Sequence, residues 1–146
     1  DYTTGYLTVD DLDWLVKGGR LPKSAGFVGS TLNVKPIVSI GEDKLKTIGA
    51  ARGRKQLYKR LIKIQKEDTK DFRNQLVCIS HVAEEESAKV LEDMINEEIP
   101  EAQTMMFEFG AVIAAHIGIG GVAFGCITQK PDIYIMPQIK DAIEQN

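Results

Sequence analysis

Apolar and polar residues recur with two different periods along the chain, and each period predicts a different kind of element. Residues 54–66 place apolar side chains every three or four positions with basic ones between them, which is typical of an amphipathic helix. Residues 84–99 show the same spacing behind three consecutive glutamates, which favour a helix N-terminus. Residues 37–40 and 45–48 are apolar runs that flank a Gly-Glu-Asp turn, so they predict a β-hairpin.

Further short apolar segments predict strands. They lie at 76–82, 104–109, 112–115 and 122–127, and glycines separate the last three. Together with the hairpin they give about six strands, which predicts an α/β domain of two layers. In this domain one mixed sheet carries helices packed on one face. The other face then needs a cover, which a partner, an absent domain or a bound ligand would provide.

The beginning of the chain predicts two helices joined by a glycine turn. Thr8 is placed to cap the first helix, and Gly18–Gly19 ends it, because glycine adopts the left-handed backbone conformation without steric cost. Arg20 therefore stands on a sharp turn. The second helix is predicted at 22–32, and its glycines indicate a surface that a neighbouring backbone or a ligand chain approaches closely. A last short helix is predicted at 139–143.

The composition of the 146 residues is that of an ordinary globular domain, and we expect one domain over residues 1–146. A formal net charge of −3 argues against nucleic-acid binding. No run approaches the roughly 20 apolar residues of a membrane span, and no signal peptide is recognisable, so we expect a cytoplasmic protein without stable membrane insertion. Cys78 and Cys126 have no metal-ligand spacing to each other or to a histidine, so neither a metal nor a cofactor is predicted.

Two cationic side chains are candidates for holding an anion. An arginine on a helix-ending turn suits two parallel hydrogen bonds to a carboxylate or phosphate, which makes Arg20 the first candidate. His116 ends a predicted strand and begins a glycine-rich loop, and histidine changes charge near neutral pH. The alternatives are an exposed arginine and a structural histidine, and the pattern leaves both open. No Ser-His-Asp order or catalytic carboxylate pair stands out, so no catalytic residue is predicted.

The charge along the chain is uneven, with basic residues concentrated at 44–73 and acidic residues at 84–108. Such a pattern usually marks two solvated faces. The alternative is that the basic helix docks on an acidic partner or a phosphate-bearing substrate. The residues predicted for this docking surface are Arg54, Lys55, Lys59, Arg60 and Lys63.

Four segments of the chain resemble the C-terminal domain of the DegV family. They read DDLDWLVKGGRL at 10–21, GSTLNVKPI at 29–37, RGRK at 52–55 and HIGIG at 116–120, in the order expected for the family. The glycine-arginine and asparagine-lysine-proline segments are the most specific, and Ile119 stands where the family often has proline. The resemblance spans nearly the whole chain. It implies a DegV-like C-terminal domain whose N-terminal partner domain is absent from this chain.

The resemblance implies a lipid-binding module rather than an enzyme. DegV proteins clasp one long-chain fatty acid, such as palmitate, stearate or oleate, and bacterial members deliver it to a separate fatty-acid kinase that phosphorylates its carboxylate. By resemblance, Arg20 and His116 match positions near the carboxylate, and the acyl tail lies in this domain. The residues implied for the acyl pocket are Ala25, Phe27, Val28, Gly29, Leu32, Ile37 and Ile113.

Two hypotheses from other functional classes stay open. In the first, the chain is a catalytic phosphotransferase or hydrolase domain that uses Arg20 and His116 on a phosphoester, and it predicts turnover by the chain alone. In the second, the chain is a protein-interaction domain whose basic helix at 54–66 docks on a partner. Reversing the charges of that helix would then abolish docking and leave lipid binding intact.

Overall fold

The computed structural model describes residues 3–22, 33–41, 44–69, 72 and 75–127. Within these ranges the chain forms six strands and four helices. They are β1 (Thr3–Thr8), α1 (Asp13–Lys17), β2 (Val34–Ile40), β3 (Leu45–Arg52), α2 (Arg54–Asp68), β4 (Leu76–His81), α3 (Glu85–Glu98), β5 (Gln103–Glu108), α4 (Ala111–Ile117) and β6 (Val122–Ile127). The predicted helix at 139–143, and the one at 22–32 beyond Pro22, lie outside the described residues. None of the described helices is long and apolar enough to cross a bilayer.

The strands form one sheet in the order β3-β2-β1-β6-β4-β5. Neighbouring strands are antiparallel except β4 and β5, which are parallel and joined through α3. A parallel pair needs such a crossover, whereas a short turn suffices between β2 and β3. The predicted α/β class and the mixed sheet are therefore confirmed. The predicted hairpin, the two long helices and the strands at 76–82, 104–109 and 122–127 are confirmed as well.

The helices α2 and α3 cover one face of the sheet and enclose the main core. The main core includes Leu57, Tyr58, Leu61 and Ile62 from α2, Ala88, Leu91 and Ile95 from α3, and Tyr6, Ile37, Val77, Ile79, Val122 and Phe124 from the strands. These side chains recur at the spacing that places them on one side of each element. All of them are at most 4% exposed, so α2 and α3 cover these side chains almost completely.

The opposite face of the sheet carries a second, smaller cluster beneath α1 and α4. Its buried members are Leu7, Val9, Leu12, Leu15, Leu21, Val38, Val82, Ile117 and Ala123. Helices therefore lie on both faces of the sheet, and the prediction that they pack on one face is wrong. The two short helices cover part of the second face, for which a partner, an absent domain or a ligand had been the predicted cover.

The beginning of the chain is a strand, and the prediction of a helix capped by Thr8 is wrong there. β1 ends at Thr8, pairs with β6 along its whole length and also pairs with β2. Pairing on both sides satisfies the backbone donors and acceptors of a central strand, and this outweighs a local capping signal. The helix begins only at Asp13, whose backbone N–H donates to Asp11 Oδ1 at 2.8 Å.

The predicted strand at 112–115 is also wrong, because these residues lie in α4. The helix begins after Gly110, whose carbonyl accepts from the Ala114 N–H at 3.0 Å. A short apolar run does not distinguish a strand from a helix by period alone. His116 therefore lies in the last turn of a helix, and Gly118 ends that helix with a φ of +74°.

Candidate functional site

The turn after α1 holds the backbone of Arg20 in a defined position. The Gly19 N–H donates to the Val16 carbonyl at 3.0 Å and the Arg20 N–H donates to the Leu15 carbonyl at 2.8 Å, which are the paired bonds of a Schellman helix end. Gly19 has the required left-handed conformation, with a φ of +71°. The exposed Arg20 side chain donates from Nη1 to the Gly18 carbonyl at 2.7 Å. That bond uses one of the five N–H groups of a guanidinium, and an anion can accept from others.

His116 lies against the same turn. A methyl group placed on Gly18 would lie 2.6 Å from His116 Nδ1, well inside van der Waals contact, so the imidazole fills the space of a side chain at position 18. The Arg20 side chain binds the carbonyl of Gly18, and the His116 ring lies against the α-carbon of the same glycine. The structure therefore brings the two predicted anion-binding residues to one glycine. Gly19 allows the left-handed backbone of the turn, and Gly18 leaves room for the imidazole because it has no side chain.

Two further contacts of this kind join α1 and the loop before it to the loop after α4. A methyl group on Gly118 would lie 2.7 Å from Trp14 Cδ1, and one on Gly120 would lie 2.6 Å from Asp10 Cγ. These two contacts, together with that of His116 on Gly18, form what we call the glycine interlock. None of them follows from local sequence spacing, because each joins residues that are far apart in the chain.

Asp10 also joins several elements through ion pairs. Its Oδ1 lies 2.6 Å from Lys35 Nζ on β2 and 3.2 Å from Arg54 Nη2 at the start of α2. Arg54 Nη2 lies in turn 3.4 Å from Glu84 Oε2, which precedes α3. Burial by itself lowers the pKa of the Arg54 guanidinium, but the Tyr58 hydroxyl, Asp10 and Glu84 outweigh burial and raise that pKa. Arg54 therefore stays charged and is bound to carboxylates of its own chain.

The other residues predicted for partner docking lie on the outer side of α2. Lys55 and Lys59 are exposed, and Lys63 Nζ lies 3.9 Å from a glutamate one helical turn further on. The Arg60 side chain donates to the Ala50 carbonyl at 3.0 Å and so lies along β3. The structure thus places the three lysines in one exposed row, whereas both arginines contact their own chain.

The described residues leave part of the second sheet face open as an apolar groove of about 500 Å³. Its lining includes Gly5, Ile40, Cys78, Ser80, Phe109 and Gly125. Gly5 and Gly125 are register partners on β1 and β6, so neither strand places a side chain in the middle of the groove. The lining strands are β2, β1, β6 and β4, which are neighbours in the sheet. Their spacing of about 4.8 Å makes the groove roughly 14 Å across.

A second concavity of about 650 Å³ adjoins the groove at Gly41, which lines both. Arg20, Leu21 and Lys44 line this second concavity. An apolar groove beside a guanidinium and an ammonium group suits an amphiphile with a long apolar chain and an anionic head. The arrangement can bind and orient such a molecule. Among the described residues no cluster of histidine, cysteine or acidic side chains could hold a metal ion.

The residues implied for the acyl pocket do not line this groove in the described part of the chain. Ile37 is 0% exposed and belongs to the main core, on the sheet face that α2 and α3 cover. A strand side chain points to one face only, so Ile37 points away from the groove. Ile113 lies on α4 and is 48% exposed. The other implied residues are Ala25, Phe27, Val28, Gly29 and Leu32, and they lie outside the described residues.

Sequence reasoning missed the residues that do line the groove. One signal points to them, because a glycine inside a strand often marks the close approach of a backbone or a ligand. Gly125 shows the first case, since a methyl group there would collide with the Thr4 carbonyl. Gly5 shows open space toward the groove, because a methyl group there would only touch Ile40 at 3.4 Å.

A buried polar cluster lies beside the groove at the end of α2. Gln65 Nε2 lies 2.6 Å from Thr4 Oγ1, 2.7 Å from Thr69 Oγ1 and 3.1 Å from Cys126 Sγ, and its two N–H groups donate to these three acceptors between them. Burial raises the pKa of the Cys126 thiol, and burial also raises the pKa of Cys78. Both thiols are therefore protonated near neutral pH, and neither is an activated nucleophile.

Tyr6 makes a second polar contact between β1 and α2. Its hydroxyl donates to Asp68 Oδ2. Burial, and then the Asp68 carboxylate, raise the pKa of Tyr6 far above its ordinary value, so this tyrosine stays protonated. It connects β1 to α2.

Comparison with known proteins identifies the family. A family model described as "Uncharacterised protein, DegV family" matches residues 1–129. The chain belongs to the DegV family. A DegV domain-containing protein of Streptococcus pyogenes serotype M6 is 36% identical over 126 residues, which are 86% of this chain and 44% of that protein. The chain thus spans about half the length of the curated DegV relatives it matches.

Solved DegV structures have the same fold as this chain. The fatty acid binding DegV family protein of Streptococcus agalactiae matches with a TM-score of 0.76 and 33% identity over 88% of this chain and 45% of that one. The Fatty Acid Kinase (Fak) B3 protein of Streptococcus pneumoniae, solved with linoleic acid, matches with a TM-score of 0.71 and 23% identity over 88% and 45%. The predicted DegV resemblance and the α/β fold it implies are confirmed.

Proposed function

We propose that this chain is the acyl-chain-binding half of a DegV protein that binds one long-chain fatty acid, such as palmitate, stearate or oleate. The observation that carries the proposal is the apolar groove, which adjoins the concavity of Arg20 at Gly41. The groove receives the acyl chain. Arg20 and His116 face the carboxylate, and no catalysis is required of this chain.

The names of two relatives support the proposal. The Streptococcus agalactiae protein is called fatty acid binding, and the Streptococcus pneumoniae protein was solved with linoleic acid. A fatty acid combines a long apolar chain with one carboxylate. These are the two features that the groove and the cationic turn match.

The acyl chain supplies most of the affinity in this proposal. Burying one methylene contributes about 0.8 kcal/mol, so about twelve methylenes contribute about 10 kcal/mol before the cost of association is subtracted. An exposed ion pair contributes about 1 kcal/mol or less. The groove therefore determines whether a fatty acid binds, and Arg20 determines where its carboxylate lies.

We further propose that the bound carboxylate is presented to a separate fatty-acid kinase, which transfers a phosphate to it. The name of the Streptococcus pneumoniae relative, a Fatty Acid Kinase B3 protein, supports this partner. The exposed row of Lys55, Lys59 and Lys63 gives α2 a basic face that complements an acidic docking surface. The proposal places the protein in the cytoplasm, where a kinase finds ATP.

The other half of the protein completes the head-group site in this proposal. The chain covers 44% of the Streptococcus pyogenes relative, and we assign it to the C-terminal half. Arg20 is exposed on this chain, so a second domain can approach it. Hydroxyl groups of the N-terminal domain would then share the carboxylate with Arg20 and His116.

The proposal is tested by titrating the delipidated full-length protein with palmitate. We expect saturable binding at micromolar concentration or below, and we expect bound palmitate to protect Cys78, which lines the groove, from alkylation by N-ethylmaleimide. Cys126 is the internal control, because it is 3% exposed and should react slowly in both states. Absence of saturable binding, or equal alkylation of Cys78 with and without palmitate, would contradict the proposal.

Arg20→Ala is expected to weaken palmitate binding about fivefold, because an exposed charge pair contributes about 1 kcal/mol. Hexadecanol has the same chain without the carboxylate, so its affinity should not change. Titration of both ligands into the full-length protein measures the difference. Lys46→Ala, which removes an exposed cation on β3, is the matched control. An equal loss for both ligands, or no loss for palmitate, would show that Arg20 does not contact the head.

A further inference from the structure

The loop after α4 is held from two sides. On one side the Gly120 N–H donates to the Val82 carbonyl at 3.2 Å, and the Val82 N–H donates to the Gly121 carbonyl at 2.9 Å. On the other side lies the Asp10 carboxylate, and a methyl group on Gly120 would lie 2.7 Å from its Oδ2. Gly120 has a φ of +89°, which a residue with a side chain rarely adopts. The loop therefore cannot shift toward Asp10 unless the carboxylate moves as well.

The Asp10 carboxylate is itself held by two cations that are less exposed than it is. The Asp10 side chain is 41% exposed, whereas Lys35 is 17% and Arg54 is 27% exposed. Lys35 lies on β2 and Arg54 begins α2, so both cations belong to elements that build the sheet and its main core. Asp10 thus connects the loop to β2 and α2, which belong to the sheet and its main core.

His116 depends on this loop for its position. α4 has seven residues, and Ile117 is its one fully buried side chain. A helix with so little buried surface is weakly fixed by packing. The glycine interlock adds three contacts between α4 or its following loop and the region of α1. These are His116 on Gly18, Trp14 on Gly118 and Asp10 on Gly120. The loop that Asp10 contacts therefore helps to hold the His116 ring against Gly18.

We propose that Asp10 is a positioning residue for the head-group site: through Gly120 it holds the loop that places His116 beside Arg20. The proposal deepens the proposed function and rests on it. Partly exposed ion pairs contribute little to folding stability, so we assign Asp10 a role in positioning the loop rather than in stabilising the fold. The same carboxylate binds Arg54, which begins the basic helix. Asp10 thereby contacts both that helix, through its ion pair with Arg54, and the His116 loop, through Gly120.

Asp10→Asn in the full-length protein tests the proposal, because it removes the charge and keeps the size of the side chain. We expect affinity for oleate to fall by up to about fivefold, because the loss cannot exceed the contribution of one head-group contact, about 1 kcal/mol. We also expect the ring resonances of His116 to move in the histidine region of a ¹³C–¹H spectrum, with His116→Gln providing the assignment. Unmoved His116 resonances would overturn the proposal.

A double-mutant cycle separates positioning from an independent contribution of Asp10. If Asp10 acts through His116, then Asp10→Asn should cost no further oleate affinity in a His116→Gln background. Losses that simply add would overturn the proposal. Glu98→Gln is the control, since it removes one partner of another ion pair, the more exposed Lys66 Nζ to Glu98 Oε2 at 3.5 Å, away from the loop. It should change neither oleate affinity nor the His116 resonances.

The failure of this proposal is distinguishable from the failure of the proposed function. If the wild-type protein bound no fatty acid, the proposed function would fail, while the His116 resonances of ligand-free Asp10→Asn would still report whether the ring is positioned by Asp10. If the wild-type protein bound oleate and Asp10→Asn bound it equally well, only the positioning role would fail.

Discussion

Cys78→Trp is expected to lower the affinity of the full-length protein for palmitate by roughly two hundredfold. Cys78 lines the groove on β4 and is only partly buried, so an indole at this position can enter the groove without disturbing the main core. A tryptophan that displaces about four methylenes removes about 3 kcal/mol of binding free energy. That loss corresponds to the stated factor. Calorimetric titration of the delipidated variant with palmitate measures it.

Val90→Trp is the matched control for this experiment. Val90 lies on α3 and is 50% exposed, on the sheet face opposite the groove, so the same large side chain should leave palmitate affinity unchanged there. Thermal melts of both variants check that the fold is retained. If Cys78→Trp bound palmitate as tightly as the wild type, the acyl chain would lie elsewhere and the groove would lose its proposed role.

Gln65→Ala is expected to destabilise the protein by about 3 kcal/mol. Gln65 is 0% exposed, and its side-chain amide donates to Thr4, Thr69 and Cys126. A buried polar group that loses its partner costs about 1–3 kcal/mol, and the cavity left by the truncated side chain adds to that cost. Equilibrium urea unfolding measures the change in the free energy of unfolding.

Two further variants show whether the lost hydrogen bonds or the cavity causes the destabilisation. Gln56→Ala, at an exposed position of the same helix, should change the free energy of unfolding by about 0.5 kcal/mol or less. Gln65→Leu fills the volume and removes the hydrogen bonds. It should remain strongly destabilising if the polar cluster is what connects α2 to β1 and β6, and it should recover most of the loss if only the cavity matters. A loss below about 1 kcal/mol for Gln65→Ala would contradict the prediction.

The two long helices could be predicted because their signal is local. Residues 54–66 carry apolar side chains at the helical period, and the buried residues of α2 are Leu57, Tyr58, Leu61, Ile62 and Gln65, those that the spacing picks out. α3 follows the same rule with Ala88, Leu91 and Ile95. Each helix satisfies its backbone hydrogen bonds within a few residues, so neighbouring sequence contains the information that defines it.

The strands were less predictable, although six were expected and the described part of the chain contains six. The predicted set contained 112–115, which is part of α4, and lacked Thr3–Thr8, which is β1. A capping signal and a short apolar run do not decide between helix and strand, because a strand is stabilised by partners elsewhere in the chain. For β1 those partners are β2 and β6, and neither is recognisable from the sequence of β1 itself.

The sequence by itself determined the sharp helix end that presents Arg20, because the Schellman turn needs only a glycine pair and nearby carbonyls. The sequence also marked His116 as a candidate beside a glycine loop. Only the tertiary structure decided that the imidazole lies on Gly18, that Asp10 lies on Gly120 and that the open groove is on the sheet face away from Ile37. These contacts depend on β1 lying between β2 and β6, and such long-range order is set by the packing of the whole sheet rather than by any local pattern.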